Sequence, residues 1–202
     1  MSGIKSIRQQ TNNRFLNCFE LEAVHRDGRV SPYYVASRAK DVASLKAVTH
    51  ENNPDGVILY GIYGQQRDRV VLIRQYRYPL GEYIYEFPAG LVEDGEEMTQ
   101  AGIREMFEET GLTFTPVEAG SYSRPFFTTA GMTDESCAML FGYCAGTPTS
   151  ANEEASEEIQ VILADRAEAK RILREENVAL MCAYMLMHFI ASPGDPLAFI
   201  KE

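Results

Sequence analysis

The segment from Gly90 to Leu112, GLVEDGEEMTQAGIREMFEETGL, constrains this chain more than any other. Glu105, Glu108 and Glu109 stand at relative positions 0, 3 and 4, so on a helix their carboxylates share one face. Three like charges side by side destabilise an isolated helix, and a cationic partner is needed to offset them. Arg104 reaches Glu108 at a spacing of four, but one guanidinium cannot neutralise the cluster. Carboxylate oxygens in excess of their basic partners are the hard ligands that magnesium and manganese ions take. Gly90 lies six residues before Glu96, and Gly95 tightens the loop that leads into the helix. A merely solvated acidic face would account for the charge, but for neither Arg104 nor the two glycines.

A chain of 202 residues buries enough surface for one domain, or one domain with a small appendage. An apolar fraction of 45% and scattered aromatics read as globular. The formal charge of −10 argues against a nucleic-acid partner and against an anionic membrane surface. Divalent ions bound by such carboxylates would invert the local field. Cys18, Cys137, Cys144 and Cys182 show no metal-ligand spacing, and with no secretory signal they are expected as reduced thiols in a cytoplasmic protein. The apolar run from Val178 to Ala191 is too short to span a bilayer and reads as a core helix. His25, His50 and His188 form no constellation.

Two strand-like stretches, Phe15–Val24 and Tyr33–Ala36, flank the turn Asp27-Gly28. The breaker cluster Asn52-Asn53-Pro54-Asp55-Gly56 divides an N-terminal β-rich segment, residues 1–52, from a domain over 53–202. Strands are expected at Val57–Tyr63, Val70–Tyr76, Tyr83–Phe87, Val117–Ser123, Cys137–Cys144 and Ile159–Leu163. The helix Met98–Glu109 should end at Gly111 in a left-handed cap, with Ala101, Ile103, Met106 and Phe107 toward the core. Asp165 and Glu168 have the spacing of a capping box for a helix to about Glu175, and a last helix begins near Asn177.

Gly90, Glu96, Arg104, Glu105, Glu108, Glu109 and Gly111, with aliphatic Met106 and Leu112, resemble the Nudix box. The resemblance runs from about Asn53 to the C-terminus and implies an α+β Nudix fold, an α/β/α sandwich around a mixed sheet. It also implies divalent-metal-dependent hydrolysis of a nucleoside diphosphate linked to another group, with Mg2+ or Mn2+ as cofactor. The ligands it implies are Glu105, Glu109, Glu108 and the carbonyl of Ala89, with Arg104 orienting the carboxylates. Glu96 would bind metal-held water or cap the helix.

Arg74-Gln75-Tyr76-Arg77 followed by Glu86-Phe87-Pro88-Ala89-Gly90 resembles the ADP-ribose and nucleoside-diphosphate-sugar pyrophosphatases. That likeness makes Arg77 a contact to phosphate or ribose; the alternative is that Arg77 pairs with a surface carboxylate such as Glu82. Glu86 would support the site from behind or bond the substrate. It further implies a homodimer formed through the N-terminal segment, with Tyr33, Tyr34 and Arg38 holding the adenine end across the interface. The water-activating carboxylate of such enzymes comes from a loop matching Glu153–Glu158, which favours Glu157 with Glu154 second. One departure is Ala130, where the ADP-ribose hydrolases carry a proline and the UDP-sugar hydrolases do not. The readings are therefore an ADP-ribose pyrophosphatase, a UDP-glucose or other nucleotide-sugar pyrophosphatase, and, more remotely, a non-catalytic nucleotide-sugar-binding regulator.

Overall fold

The computed structural model describes residues 1–93, 95–149, 151 and 158–201. Its strands are β1 (Gly3–Gln9), β2 (Asn17–Val24), β3 (Val30–Ser37), β4 (Gly56–Tyr63), β5 (Arg69–Arg77), β6 (Glu82–Glu86), β7 (Ala89–Leu91), β8 (Thr113–Val117), β9 (Pro125–Phe127), β10 (Ser136–Ala145) and β11 (Ile159–Ala164). Its helices are α1 (Lys46–Thr49), α2 (Met98–Thr110), α3 (Arg166–Glu175) and α4 (Leu180–Ala191). The chain divides into two compact units, Met1–Asp55 with Pro125–Cys137, and Gly56–Arg124 with Ala138–Glu202.

In the larger unit the strands run in the order β11-β5-β4-β10-β8, with β6 added along β5 and β7 along β4. The central strand β4 is buried through Ile62, as a strand covered on both faces must be. Val57 and Leu59 turn toward α2, where they pack with Ala101, Met106 and Leu112. Tyr60 points the other way and meets Phe87, Phe141 and His188 edge-on. Buried Leu186 and Phe189 of α4 belong to the apolar core as well. Each such side chain contributes on the order of 1.5–3 kcal/mol by leaving water. The outcome is the expected α+β arrangement, a mixed sheet with helices on its faces.

β4 pairs with β5 at Ile62↔Val70 and Tyr63↔Arg69, and then the two strands take different partners. β5 continues along β6, from Ile73↔Glu86 to Arg77↔Glu82, while β4 continues along β7, from Ile58↔Ala89 to Gly56↔Leu91. This divergence puts Arg77 and Glu86 on one pair of strands and Ala89-Gly90 on the other.

Several expectations are corrected. The strand expected at Val117–Ser123 lies earlier, at Thr113–Val117, and residues 120–123 form a tight turn. The cap at Gly111 (φ +69°) ends α2 so sharply that Thr113 is already paired with Ala145. Phe107 is half-exposed, because the buried side of α2 runs through Met106, Glu109 and Thr110. Asp165 does cap α3 through the amides of Ala167 and Glu168, but the Glu168 side chain bonds Arg171 and no reciprocal box forms. The last helix starts at Leu180, since Asn177 and Ala179 pair with the backbone of Tyr85. β1 was not foreseen: it is an exposed strand without alternation, held by antiparallel pairing to β2.

The smaller unit is a three-stranded sheet, β1-β2-β3, over a core of Phe19, Leu21 and Leu45. Lys46 Nζ donates to Asp55 and to Ser136 Oγ, both at 2.6 Å, tying residues 125–137 to the first 55. All four cysteines are free, and burial pushes the Cys137 thiol up to about 11 and the Cys144 thiol up to about 12. Among the described residues no helix is long and apolar enough to cross a membrane.

Candidate active site

Arg104 stands at the centre of the carboxylates of α2 and the loop before it. Its Nε and Nη2 donate to the two oxygens of Glu96 at 3.0 and 2.9 Å. Nη1 donates to Glu105 at 2.8 Å and to Glu108 at 3.0 Å, and Nη2 also reaches the Leu91 carbonyl at 3.1 Å. Those five contacts use all five guanidinium N–H groups. Hydrogen bonding from Arg104, joined by the Glu93 amide, holds the Glu96 carboxyl below the usual carboxylate range. The same contact with Glu96, more than any other, raises the Arg104 guanidinium. Glu96 is thus neither a helix cap nor a solvent group: it anchors Arg104, and the N-cap position of α2 belongs to Glu97. A spacing of eight residues across a loop carries no sequence signal for that pairing.

Across from α2 runs β7. A Cβ placed on Gly90 would fall inside the carboxylate of Glu105, so only glycine leaves that carboxylate room against the strand. One residue earlier, the Ala89 amide donates to Glu109 Oε2 at 2.9 Å, although Glu109 is only 2% exposed. The two carboxylates one helical turn apart therefore flank the backbone of residues 89 and 90. Glu108 lies further out, its side chain 41% exposed.

As these side chains stand, no three acidic, histidine or cysteine groups among the described residues already surround one point. Glu105 and Glu108 rest on Arg104, and Glu109 rests on the Ala89 amide. The donor set nonetheless fits a hard divalent ion: Glu105 and Glu109 face one stretch of backbone, Glu108 is adjacent, and the one guanidinium of Arg104 serves Glu105 and Glu108.

On the neighbouring strands Arg77 Nε donates to one oxygen of Glu86 at 2.7 Å, and Nη2 stands 2.7 Å from the same oxygen as an ion pair. Glu82, the alternative partner, accepts instead from Asn177 Nδ2 at 2.9 Å. Sequence reading passed over Gln75, two residues before Arg77 on the same face of β5. It is 5% exposed, and its Oε1 has no partner among the described residues. Its alternation with Arg77 was the available signal.

Tyr33, Tyr34 and Arg38 belong to the smaller unit: the Tyr33 hydroxyl donates to the Gly131 carbonyl at 2.6 Å, Tyr34 is exposed, and Arg38 pairs with Glu135 at 3.2 Å. Glu154 and Glu157 lie outside the described residues. Glu158, next to them, accepts a hydrogen bond from the Tyr83 hydroxyl, which raises the pKa of that tyrosine.

The family model of the NUDIX domain matches residues 52–181, which takes in β4 through the start of α4 and every group on the α2 wall. The chain belongs to the Nudix family. Nudix hydrolases generally use divalent metals. The chain is similar to a nudix hydrolase of Caenorhabditis elegans, 35% identical over 123 residues that make up 58% of this chain and 54% of that protein. It is also similar to an ADP-ribose pyrophosphatase of Bacillus subtilis strain 168, 39% identical over 70 residues, 33% of this chain and 35% of that one. The matched stretches thus span about half or less of these curated relatives. The solved structure of an ADP compounds hydrolase shares the fold, with a TM-score of 0.62 over 86% of this chain and 83% of that one at 17% identity.

Proposed function

We propose that this Nudix protein is a divalent-metal-dependent pyrophosphatase that hydrolyses ADP-ribose to AMP and ribose 5-phosphate. The observation that carries the reading is the wall formed by Glu105 and Glu109 on either side of the Ala89-Gly90 backbone, with a carboxylate surplus around Arg104. Similarity to an ADP-ribose pyrophosphatase supports the substrate. Glu105, Glu109, Glu108 and the Ala89 carbonyl would hold magnesium or manganese. When bound, such ions stabilise charge on the phosphate oxygens and lower the pKa of water.

The chain's own groups supply the rest. Arg104 keeps Glu105 and Glu108 in place, and Glu96 keeps Arg104 in place. Arg77 meets the diphosphate. The carboxylate that takes the proton of the attacking water is assigned to the run Glu153–Glu158, with Glu157 first and Glu154 second. In this reading the protein is a homodimer in which Tyr33, Tyr34 and Arg38 hold the base end of the substrate across the interface; the exposure of Tyr33 and Tyr34 is compatible with it.

A UDP-sugar substrate is the second reading, and Ala130 in place of the family's proline is what favours it. Incubation with ADP-ribose and with UDP-glucose in magnesium, reading the mononucleotide released, tests both. AMP from ADP-ribose at the higher kcat/KM supports the first reading, and preferential release of UMP replaces it with the second.

A further inference from the structure

The pairing of Arg77 departs from what its strand register dictates. On the β5–β6 hairpin the residue directly opposite Arg77 is Glu82, beside the turn; Gln75 faces Ile84, and Ile73 faces Glu86. Directly opposed residues share a face, so Glu82, Ile84 and Glu86 all lie on the face of Arg77. The nearest carboxylate by register is therefore Glu82, yet Asn177 engages it. Arg77 instead reaches past Ile84 to Glu86, four residues closer along the chain to Gly90.

The geometry of that bond matters as much as its direction. Both Nε and Nη2 converge on a single Glu86 oxygen at 2.7 Å, so one edge of the planar guanidinium is fixed. Nη1 has no partner among the described residues, and the arginine side chain is 42% exposed against 18% for Glu86. A guanidinium tied along one edge presents the other as a preoriented fork, the form that phosphate oxygens accept. The charge of Glu86 is matched by its partner, so an anion arriving at the open edge meets a cation rather than an unbalanced carboxylate.

We infer that Glu86 is the positioning residue for Arg77: it draws the guanidinium away from its register partner Glu82 and aims its free edge at the diphosphate. This inference rests on the pyrophosphatase reading for its substrate. Without Glu86, Arg77 falls back toward Glu82 and the turn. The ordering of a long side chain, which binding otherwise has to supply, is lost with it.

The test compares the parent with Glu86→Ala, Glu86→Gln, Arg77→Ala, Glu82→Ala and the double variant Glu86→Ala/Arg77→Ala. Two quantities are read: kcat and KM for ADP-ribose in magnesium, and the affinity for inorganic pyrophosphate with chelator present. Glu86→Ala is expected to raise KM and weaken pyrophosphate binding about tenfold, with kcat within about twofold of the parent. Glu86→Gln, whose carboxamide oxygen still accepts from Nε, recovers most of the loss, and Glu82→Ala changes neither quantity. In the Arg77→Ala background the loss of Glu86 adds nothing further. Thermal melting reports whether Glu86→Ala folds, and Glu86→Gln against Arg77→Ala decides the matter if it does not. Effects of Glu86 and Arg77 that multiply, a fall in kcat at constant KM, or a parent that binds pyrophosphate no better than Arg77→Ala would each overturn the inference. A parent inert toward ADP-ribose sinks the substrate reading alone, because the pyrophosphate titration still measures the Glu86–Arg77 coupling.

Discussion

Arg104 and Arg77 of this Nudix unit both sit against carboxylates, and their surroundings differ. Arg104 serves three carboxylates, Glu96, Glu105 and Glu108, and every one of its donors is taken. Arg77 serves one carboxylate, Glu86, and among the described residues keeps an edge open. The first neighbourhood has negative charge to spare and calls for cations, whereas the second is balanced and offers donors to an anion. The residue types are the same, and the ratio of partners to donors separates the two roles. On the proposed reading, an acidic protein of net charge −10 would hold an anionic substrate between the carboxylates of α2 and the free edge of Arg77.

The largest effects should appear on the carboxylate side. Glu109→Gln keeps the acceptor for the Ala89 amide and removes the charge, so the fold should survive while kcat drops by roughly two to four orders of magnitude. Circular dichroism together with steady-state kinetics checks both halves, and near-parental turnover would erase the distinction between the two arginines. Gly90→Ala comes next. Its methyl group occupies the place of the Glu105 carboxylate, and displacing that group should lower kcat by roughly a hundredfold or more. Manganese affinity, followed by electron paramagnetic resonance, should fall in parallel.

Much of the α2 wall was legible in the sequence, because the spacing of Glu105, Glu108 and Glu109 is local and helical geometry alone puts them on one face. The pairing of Arg77 with Glu86 was not. Whether Arg77 would choose Glu82 or Glu86 depends on what engages Glu82, and Asn177 lies 95 residues away. The inward turn of Glu109 and the exposure of Phe107 were hidden for a related reason. A carboxylate enters a core when a backbone amide awaits it, and the amide of Ala89 is placed by the pairing of β7 with β4. The association of residues 125–137 with the first 55 rests on Lys46, Asp55 and Ser136, none of which carries a periodic signal.

A smaller effect concerns pH. The carboxyl of Glu96 is held below its ordinary range in the folded chain, chiefly by its hydrogen bonds from Arg104. A depressed folded-state pKa adds stability that is complete above the unfolded value, about 4.3, and is lost as the pH falls through the folded value below it. The melting temperature should therefore decline as the pH drops below about 4.3, and Glu96→Gln should flatten that part of the curve. An unchanged slope would mean that the Arg104 cluster is not the source of acid sensitivity.

Smallest of all is Gln75→Leu, beside the second arginine. The glutamine is buried with Oε1 unpartnered among the described residues, so an apolar side chain of similar size should cost little or even stabilise, within about 1 kcal/mol. A chemical denaturation curve reads this directly. Strong destabilisation would show that Gln75 holds the Arg77 strand through a contact of its own.

The central claim is that a surplus of carboxylates on α2 serves a metal-dependent hydrolysis of a nucleoside diphosphate sugar. It is tested most directly by following ADP-ribose by anion-exchange chromatography with magnesium, with chelator, and with magnesium restored. The account requires AMP and ribose 5-phosphate in the first and third samples and intact ADP-ribose in the second. Turnover undiminished by chelator would contradict it, as would a protein that cleaves neither ADP-ribose nor any other nucleotide sugar with magnesium or manganese present.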